Sequence, residues 1–461
     1  MKLTYISDVT CVSDVEKGTL LSDALRIMGA DVTLVCGGNG KCGKCRVLCS
    51  GALSSPDDEE KNILGEDLEK GYRLACRAYI LGDVIVHGRK KSTEVRKKTD
   101  ISVPEGVLCV DLGTTGISCV YGSEEISFNN PQSVYGADVI SRITASGEHL
   151  EDMQRLVKNE LARLAADPRM TVISGNTAMQ LIYAGIDPSP LGISPYKSPT
   201  LFGNVCENTY YMPCVSGFVG GDVVSGLYYA QNKGFIKENT ALYIDIGTNG
   251  EMVLLHNGTA TACATAAGPC FEGAGISCGM RAEADAVSGA SVENGELVYS
   301  VIGSEKMKGI CGSGIVSIVS SLLELGKISD TGLLENDRFY LSEDVYITRS
   351  DVRMLQNAKA AVRAGIVLLC KHVGICEDDI ECIYIAGGFG SHLDTDAAKN
   401  IGLLPQKPCV PLGNCSLYGA CEVAYDAGVF EKMCSLAGKI LYLELAECDG
   451  FSDEYISQMM F

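Results

Sequence analysis

Residues 107–129, VLCVDLGTTGISCVYGSEEISFN, and residues 241–266, ALYIDIGTNGEMVLLHNGTATACATA, follow one plan. In each, an apolar strand ends in Asp-x-Gly-Thr, a short turn follows, and two more strands come next. Asp111 aligns with Asp245, Gly113 with Gly247 and Thr114 with Thr248. A repeat on this scale predicts two homologous halves rather than a solenoid. Helical segments alternate with the strands, as in LEDMQRLVKNELARLA, GIVSIVSSLLELGKI and VRMLQNAKAAVRAGIVLLCKHV. The pattern predicts two α/β halves facing each other across a cleft.

A third element, IYIAGGFGSHLD at residues 383–394, also places glycines after an apolar strand. Phosphates need N–H donors at close range, and glycine turns provide them. The candidate donors are Gly113, Thr114 and Thr115 in the first turn and Gly247, Thr248 and Asn249 in the second. A carboxylate at a strand end can hold Mg²⁺ through water, since that ion keeps much of its hydration. Asp111 and Asp245 are placed for this. Gly387, Gly388, Phe389 and Gly390 form a candidate surface for adenosine against the backbone.

The N-terminal part has a different character. MKLTYI, RVLCSG, GYRLACRAYI and DVIVHG read as strands, and TLLSDALRIMG as a helix. Between them VCGGNGKCGKC holds Cys36, Cys42 and Cys45 in the spacing C-x5-C-x2-C, and Cys76 follows at a distance. Plant-type [2Fe–2S] proteins use C-x4-C-x2-C with a remote fourth cysteine. The loop glycines allow positive φ and close backbone approach to a cluster. Structural zinc is the rival, but its sites usually come as short paired C-x2-C knuckles. Cys49, on a strand, reads as a bystander. Gly38–Lys44 almost spells a Walker A loop, yet Cys45 stands where the Mg²⁺-binding hydroxyl belongs.

Composition narrows the field. The chain has 461 residues, 58 acids against 38 bases, and a net charge of −20, which argues against nucleic-acid binding. No apolar run approaches the roughly 20 residues of a membrane span. The start, MKLTYISDVT, lacks an apolar signal core, so a cytoplasmic location is expected. In a reducing compartment, clustered cysteines among the 22 present point to metal, and scattered ones to core positions. The expected organisation is α/β and multidomain: 1–88 ferredoxin-like, 89–104 a basic linker, 105–235 the first half and 236–461 the second. The linker RKKSTEVRKKTD reads as solvated chain, or as a basic patch for an acidic partner or the protein's own acidic surface.

Residues 1–88 resemble the β-grasp ferredoxins, with the adrenodoxin-type spacing between the first two cysteines. The two Asp-x-Gly-Thr turns and GGFG resemble the acetate and sugar kinase, heat-shock chaperone and actin superfamily (ASKHA). That implies two RNase H-like lobes closing on ATP, with Asp111 and Asp245 as the phosphate-motif aspartates. NPQSVYGADVISRI, SGNTAMQLI, GFVGGD, GPCFEGAGISCGM, KGICGSG, LQNAKAAVRAGI and GGFGSHLDTDAAKNIGLLP look like the reductive activators of corrinoid proteins. Some members of that family carry a further small domain where this chain has only the basic linker. The resemblance implies an ATP-hydrolysing iron–sulfur protein. It would pass one electron from a [2Fe–2S] cluster to Co(II) of a corrinoid protein in a methyltransferase system, regenerating Co(I). A low-potential donor, Mg²⁺ and a homodimer are the further expectations.

On that reading Asp111 and Asp245 organise Mg²⁺ and water, and Asp222 in GFVGGD is a further candidate for orienting the water. Cys270 and Glu272, in the loop GPCFEG, are candidates for touching the corrinoid partner. Three other readings compete. One is an activator of 2-hydroxyacyl-CoA dehydratases, whose [4Fe–4S] cluster lies between subunits. The others are a redox-sensing ATP-binding regulator and a small-molecule kinase fused to a ferredoxin.

Overall fold

Period-two alternation puts Val47 and Cys49 of the strand Arg46–Leu53, with Val84 and Val86 of the strand Ile80–His87, on one buried face. These strands belong to a five-stranded sheet in the order Thr10–Asp14, Lys2–Ile6, Ile80–His87, Arg46–Leu53, Tyr72–Leu74. Lys2–Ile6 runs parallel to Ile80–His87, and the other pairs are antiparallel. The helix Leu21–Ile27 lays Leu21, Ala24 and Leu25 against this face in one core. A sheet wrapped on one helix is the β-grasp arrangement. The computed structural model describes the chain apart from residues 8, 9, 29, 31, 33, 35–37, 42, 89–94, 100 and 305. It forms two units, Met1–Arg169 with Ala178–Pro199, and Met170–Thr177 with Thr200–Phe461.

The acidic stretch after the cysteine loop folds as the helix Asp58–Leu64 and a 3₁₀ turn, Gly65–Leu68. Asp57 caps the helix by accepting from Glu60 N at 2.8 Å. Glu60 itself is fully buried. Its carboxylate accepts from Arg73 Nε and Nη2, both at 2.9 Å, and from Leu74 N at 2.6 Å. One acidic side chain thus fixes the short strand that leads to Cys76.

The first unit continues with strands Val107–Leu112, Gly116–Tyr121 and Glu124–Asn129, hydrogen-bonded in turn as an antiparallel meander. The stretch read as a linker contributes a strand of its own. Val95–Lys98 pairs with Glu124–Asn129, and Arg96 and Lys97 meet Glu124 and Glu125 at 3.2 and 2.9 Å. An edge strand needs only a partner with free ladder groups, so the missing apolar periodicity did not prevent pairing. The rest of the expected linker up to residue 94 lies outside the described residues.

In the second unit a six-stranded sheet runs Cys409–Gly413, Cys382–Ala386, Thr240–Ile246, Gly250–His256, Thr259–Thr265, Leu441–Tyr442. Both faces are covered, which is why the central strand TALYIDI is apolar nearly throughout. Leu242 and Ile244 join a core with Leu355, Val362 and Ile366 of the helix Arg349–Val373. Ala241 and Tyr243 join a second core with Val223 and Leu227 of the helix Gly221–Asn232. The insertion between Thr265 and Arg349 holds the hairpin Ala286–Glu293/Glu296–Val301 and the helix Gly312–Glu324. Among the described residues no helix is long and apolar enough to cross a membrane.

The helix Arg349–Val373 also buries Lys359, which is 2% exposed. Its ammonium donates to Met460 O and lies 5.7 Å from the Phe461 ring centroid. Burial, and then the charge of Arg363, push its pKa down to about 8.

Two expectations follow from this packing. Glu60→Ala strands the half-buried Arg73 guanidinium and the buried Leu74 N–H and should destabilise the ferredoxin-like region by about 3–5 kcal/mol. Urea titration read at the visible absorption of an iron–sulfur chromophore measures it, and an unchanged midpoint contradicts it. For Lys359, the native amine deprotonates near 8 and the unfolded one near 10.5. Between these values the unfolded chain holds a proton the native state lacks, so stability from this group rises with pH. Relative to Lys359→Met, the wild type should gain thermal stability across that window. Parallel curves would refute it.

Candidate functional site

The strand Tyr72–Leu74 delivers Cys76, and the strand Arg46–Leu53 starts directly after Cys45. Ala75 N donates to Cys45 O at 3.0 Å and holds the two segments together. The sulfurs of Cys45 and Cys76 stand 3.2 Å apart, and the residues are 3% and 6% exposed. The hydrogen bond from Cys45 lowers the Cys76 thiol to about 7, with the Gly40 amide helping. A thiolate is the metal-binding form. Gly38, Gly40 and Gly43 have φ of +82°, +71° and +68°, as a loop wrapping a cluster requires. Converging thiols and inward amides fit a thiolate-held iron–sulfur cluster. Cys36 and Cys42 lie outside the described residues. Cys49 sits on its strand with burial pushing its thiol up to about 11.

Before the first Gly-Thr turn, Asp111 is the penultimate residue of the strand Val107–Leu112 and pairs across the sheet with Ser118. The backbone of the turn is bolted from below. Asn130 Nδ2 donates to Gly113 O at 2.8 Å and Asn130 N to Thr115 O at 3.0 Å. Arg142, with no exposed surface, donates through Nη2 to Thr114 O and through Nε to Gly136 O at 3.0 Å. Asn130 and Arg142 lie in NPQSVYGADVISRI, so that segment braces the first Asp-x-Gly-Thr turn.

The second turn differs from the first by one residue of register. Asp245 pairs directly with Glu251, so both carboxylates face the same side of the hairpin. Thr248 donates from N and Oγ1 to Glu272 Oε1, at 3.0 and 2.8 Å. Asn249 hydrogen-bonds the Glu251 carboxyl. The strand Cys382–Ala386 runs parallel to Thr240–Ile246 with Ala386 opposite Asp245. That register brings Gly387 onto the Asp245 carboxylate: a Cβ there would lie 2.2 Å from Asp245 Oδ1, and φ is +80°. Only glycine fits. Phe389 packs its ring 5.1 Å from Phe271, while Gly388 is open to a ligand on its Cβ side.

Asp222 lies in the first turn of the helix Gly221–Asn232, where its Oδ1 accepts from Val223 N at 2.9 Å. It also belongs to the carboxylate group of the second turn. Burial first, then the charges of Asp222 and Asp245, hold the Glu251 carboxyl well above its ordinary range. Glu251 escaped the sequence reading. The clue was the tight DIGTNGE turn, which leaves Asp245 and Glu251 equidistant from Thr248 in a hairpin. Glu272, half-buried, is engaged by Thr248. Cys270 is 2% exposed and its thiol is raised by burial to about 12, so it offers almost no surface to a partner. Cys263, Cys270, Cys278 and Cys311 do not gather into a metal-holding group; none of three or more ligands occurs among the described residues.

If these turns hold nucleotide phosphates, Gly387→Ala must push the Asp245 carboxylate aside. Calorimetry with Mg-ATP should then show binding about tenfold weaker or worse, a loss of about 1.4 kcal/mol or more. Equal affinity would remove Gly387 from the site.

Comparison with known proteins adds a family. The 2Fe-2S iron-sulfur cluster binding domain model matches residues 5–81, the RACo middle region matches 107–233, and the C-terminal domain of RACo, the ASKHA domain, matches 239–461. The chain is 27% identical to the corrinoid activation enzyme RamQ of Eubacterium limosum, covering 97% of each protein. It is 27% identical to the Co(II) methylated amine-specific corrinoid protein reductase of Methanosarcina barkeri, over 54% of this chain and 51% of that one. A solved reductive activator for corrinoid, iron-sulfur protein matches with a TM-score of 0.67 and 25% identity, over 100% of this chain and 98% of its own. The two RACo regions run almost without a break behind a ferredoxin-type region, and the chain belongs to the reductive activators of corrinoid proteins.

Proposed function

We propose that this chain is an ATP-dependent activase that returns a corrinoid protein of a methyltransferase system from Co(II) to Co(I) by one electron. The observation that carries the reading is the presence on one polypeptide of two converging buried thiols, Cys45 and Cys76, and two Asp-x-Gly-Thr turns. RamQ and the methylated-amine corrinoid protein reductase supply the substrate class.

Cys36, Cys42, Cys45 and Cys76 hold the [2Fe–2S] cluster, which when bound supplies one-electron transfer at about −400 mV. The buried Glu60 fixes the strand entering Cys76, and the glycine loop shapes the rest of the binding pocket. Asp111 in the first turn and Asp245 in the second each stand near a strand end, where a carboxylate would hold Mg²⁺. Gly113, Thr114, Thr115, Gly247, Thr248 and Asn249 bind phosphates, and Gly387, Gly388, Phe389 and Gly390 receive adenosine. Asp222 orients the attacking water, with Glu251 beside it in the same carboxylate group.

The need for ATP has a thermodynamic basis. An uphill gap of about 100–200 mV for one electron costs about 2–5 kcal/mol. Nucleotide offsets it only by binding one conformation of the complex more tightly than the other. A low-potential donor reloads the protein, and the reading places it in the cytoplasm as a homodimer.

The test is anaerobic. Reduced protein, Mg-ATP and a Co(II) corrinoid protein are mixed and the Co(I) absorption band is followed. The band should require ATP and should vanish in Cys76→Ala. Its appearance at full rate without nucleotide would overturn the proposal.

A further inference from the structure

The two donors of the second turn best suited to a phosphate are already committed to an anion of the chain itself. Thr248 N and Thr248 Oγ1 both point at one oxygen, Glu272 Oε1, at 3.0 and 2.8 Å. This is the pattern in which a loop amide and its hydroxyl grip a phosphate oxygen. The same oxygen also lies 3.5 Å from the point where a Cβ on Gly247 would sit, so it rests against the turn. A phosphate oxygen accepting those hydrogens would have to occupy the position of Glu272 Oε1. Two anionic oxygens sharing it repel strongly in a half-enclosed site.

Glu272 is held where it is by more than Thr248. It ends the 3₁₀ turn Pro269–Glu272. Gly268 N donates to Thr248 O at 2.8 Å, which ties the start of that turn to the same loop. Phe271, next to Glu272, is 2% exposed and packs on Phe389 of the candidate adenosine surface. The turn therefore touches both Thr248 of the second phosphate-type turn and Phe389 of the candidate adenosine surface.

We propose that Glu272 is a built-in phosphate mimic: it fills the second phosphate turn when nucleotide is absent and is expelled when a nucleotide phosphate takes its place. It is a positioning residue that lowers resting affinity for nucleotide. Its exchange for phosphate shifts the Pro269–Glu272 turn only when the site is filled. The inference rests on the nucleotide reading above and deepens it.

The test uses the full chain with Glu272→Gln, which keeps shape and an acceptor, and Glu272→Ala. Binding of inorganic phosphate and of Mg-ADP is measured by calorimetry, and thermal unfolding is recorded alongside. Removing the competing charge should tighten both ligands about three- to tenfold in each variant, up to about 1.4 kcal/mol. A residue that only supports the turn would lower the melting temperature and weaken binding. Wild type that binds Mg-ADP, with both variants equal to it or weaker, overturns the inference and leaves the nucleotide reading standing. Wild type and variants that all ignore Mg-ADP overturn the nucleotide reading, and this inference with it.

Discussion

The register between two parallel strands governs the candidate nucleotide site. Thr240–Ile246 and Cys382–Ala386 are far apart in the chain, yet their pairing sets Ala386 opposite Asp245. The next residue must then fold over the Asp245 carboxylate with positive φ and without a Cβ, which Gly387 alone satisfies. A slip of one residue would reverse the faces of the strand and send Asp245 to the wrong side. Because Leu242 and Ile244 fill one core and Ala241 and Tyr243 the other, the sheet resists such a slip. Core packing thus positions the charged end of the strand.

The two halves of the repeat use this constraint differently. In the first, Asp111 faces Ser118, and the turn is braced through its carbonyls by Asn130 and Arg142. In the second, Asp245 faces Glu251, and the turn is engaged by carboxylates, Glu272 on Thr248 and Glu251 on Asn249. The two turns share a strand-turn-strand plan, while the chemistry of their neighbours differs. The acidic surroundings of the second turn, Asp222 and Asp245, add to burial in raising Glu251.

The ferredoxin-like region solves a separate problem with similar means. A loop rich in glycine cannot hold its own shape, so the segments flanking it must be rigid. Glu60, buried and hydrogen-bonded to Arg73 and Leu74, gives that rigidity on the Cys76 side. The link from Ala75 N to Cys45 O gives it on the other.

Much of this was legible in the linear order of residues. Strand-turn-strand copies are local patterns of period two ending in glycine, so the two meanders and their Asp-x-Gly-Thr turns could be read directly. Cysteine spacing and loop glycines are likewise local, and they indicated the cluster type. Three things were decided only in the folded chain. Val95–Lys98 became a strand because a neighbouring edge offered hydrogen-bond partners, which composition does not report. Glu251 joined the carboxylate group because hairpin register, not sequence distance, sets who faces whom. Cys270 is buried and Glu272 meets Thr248, on either side of Phe271, which packs on Phe389 far along the chain. Local rules fix backbone shape from neighbours in sequence, whereas burial and partner choice depend on contacts that exist only after distant segments meet.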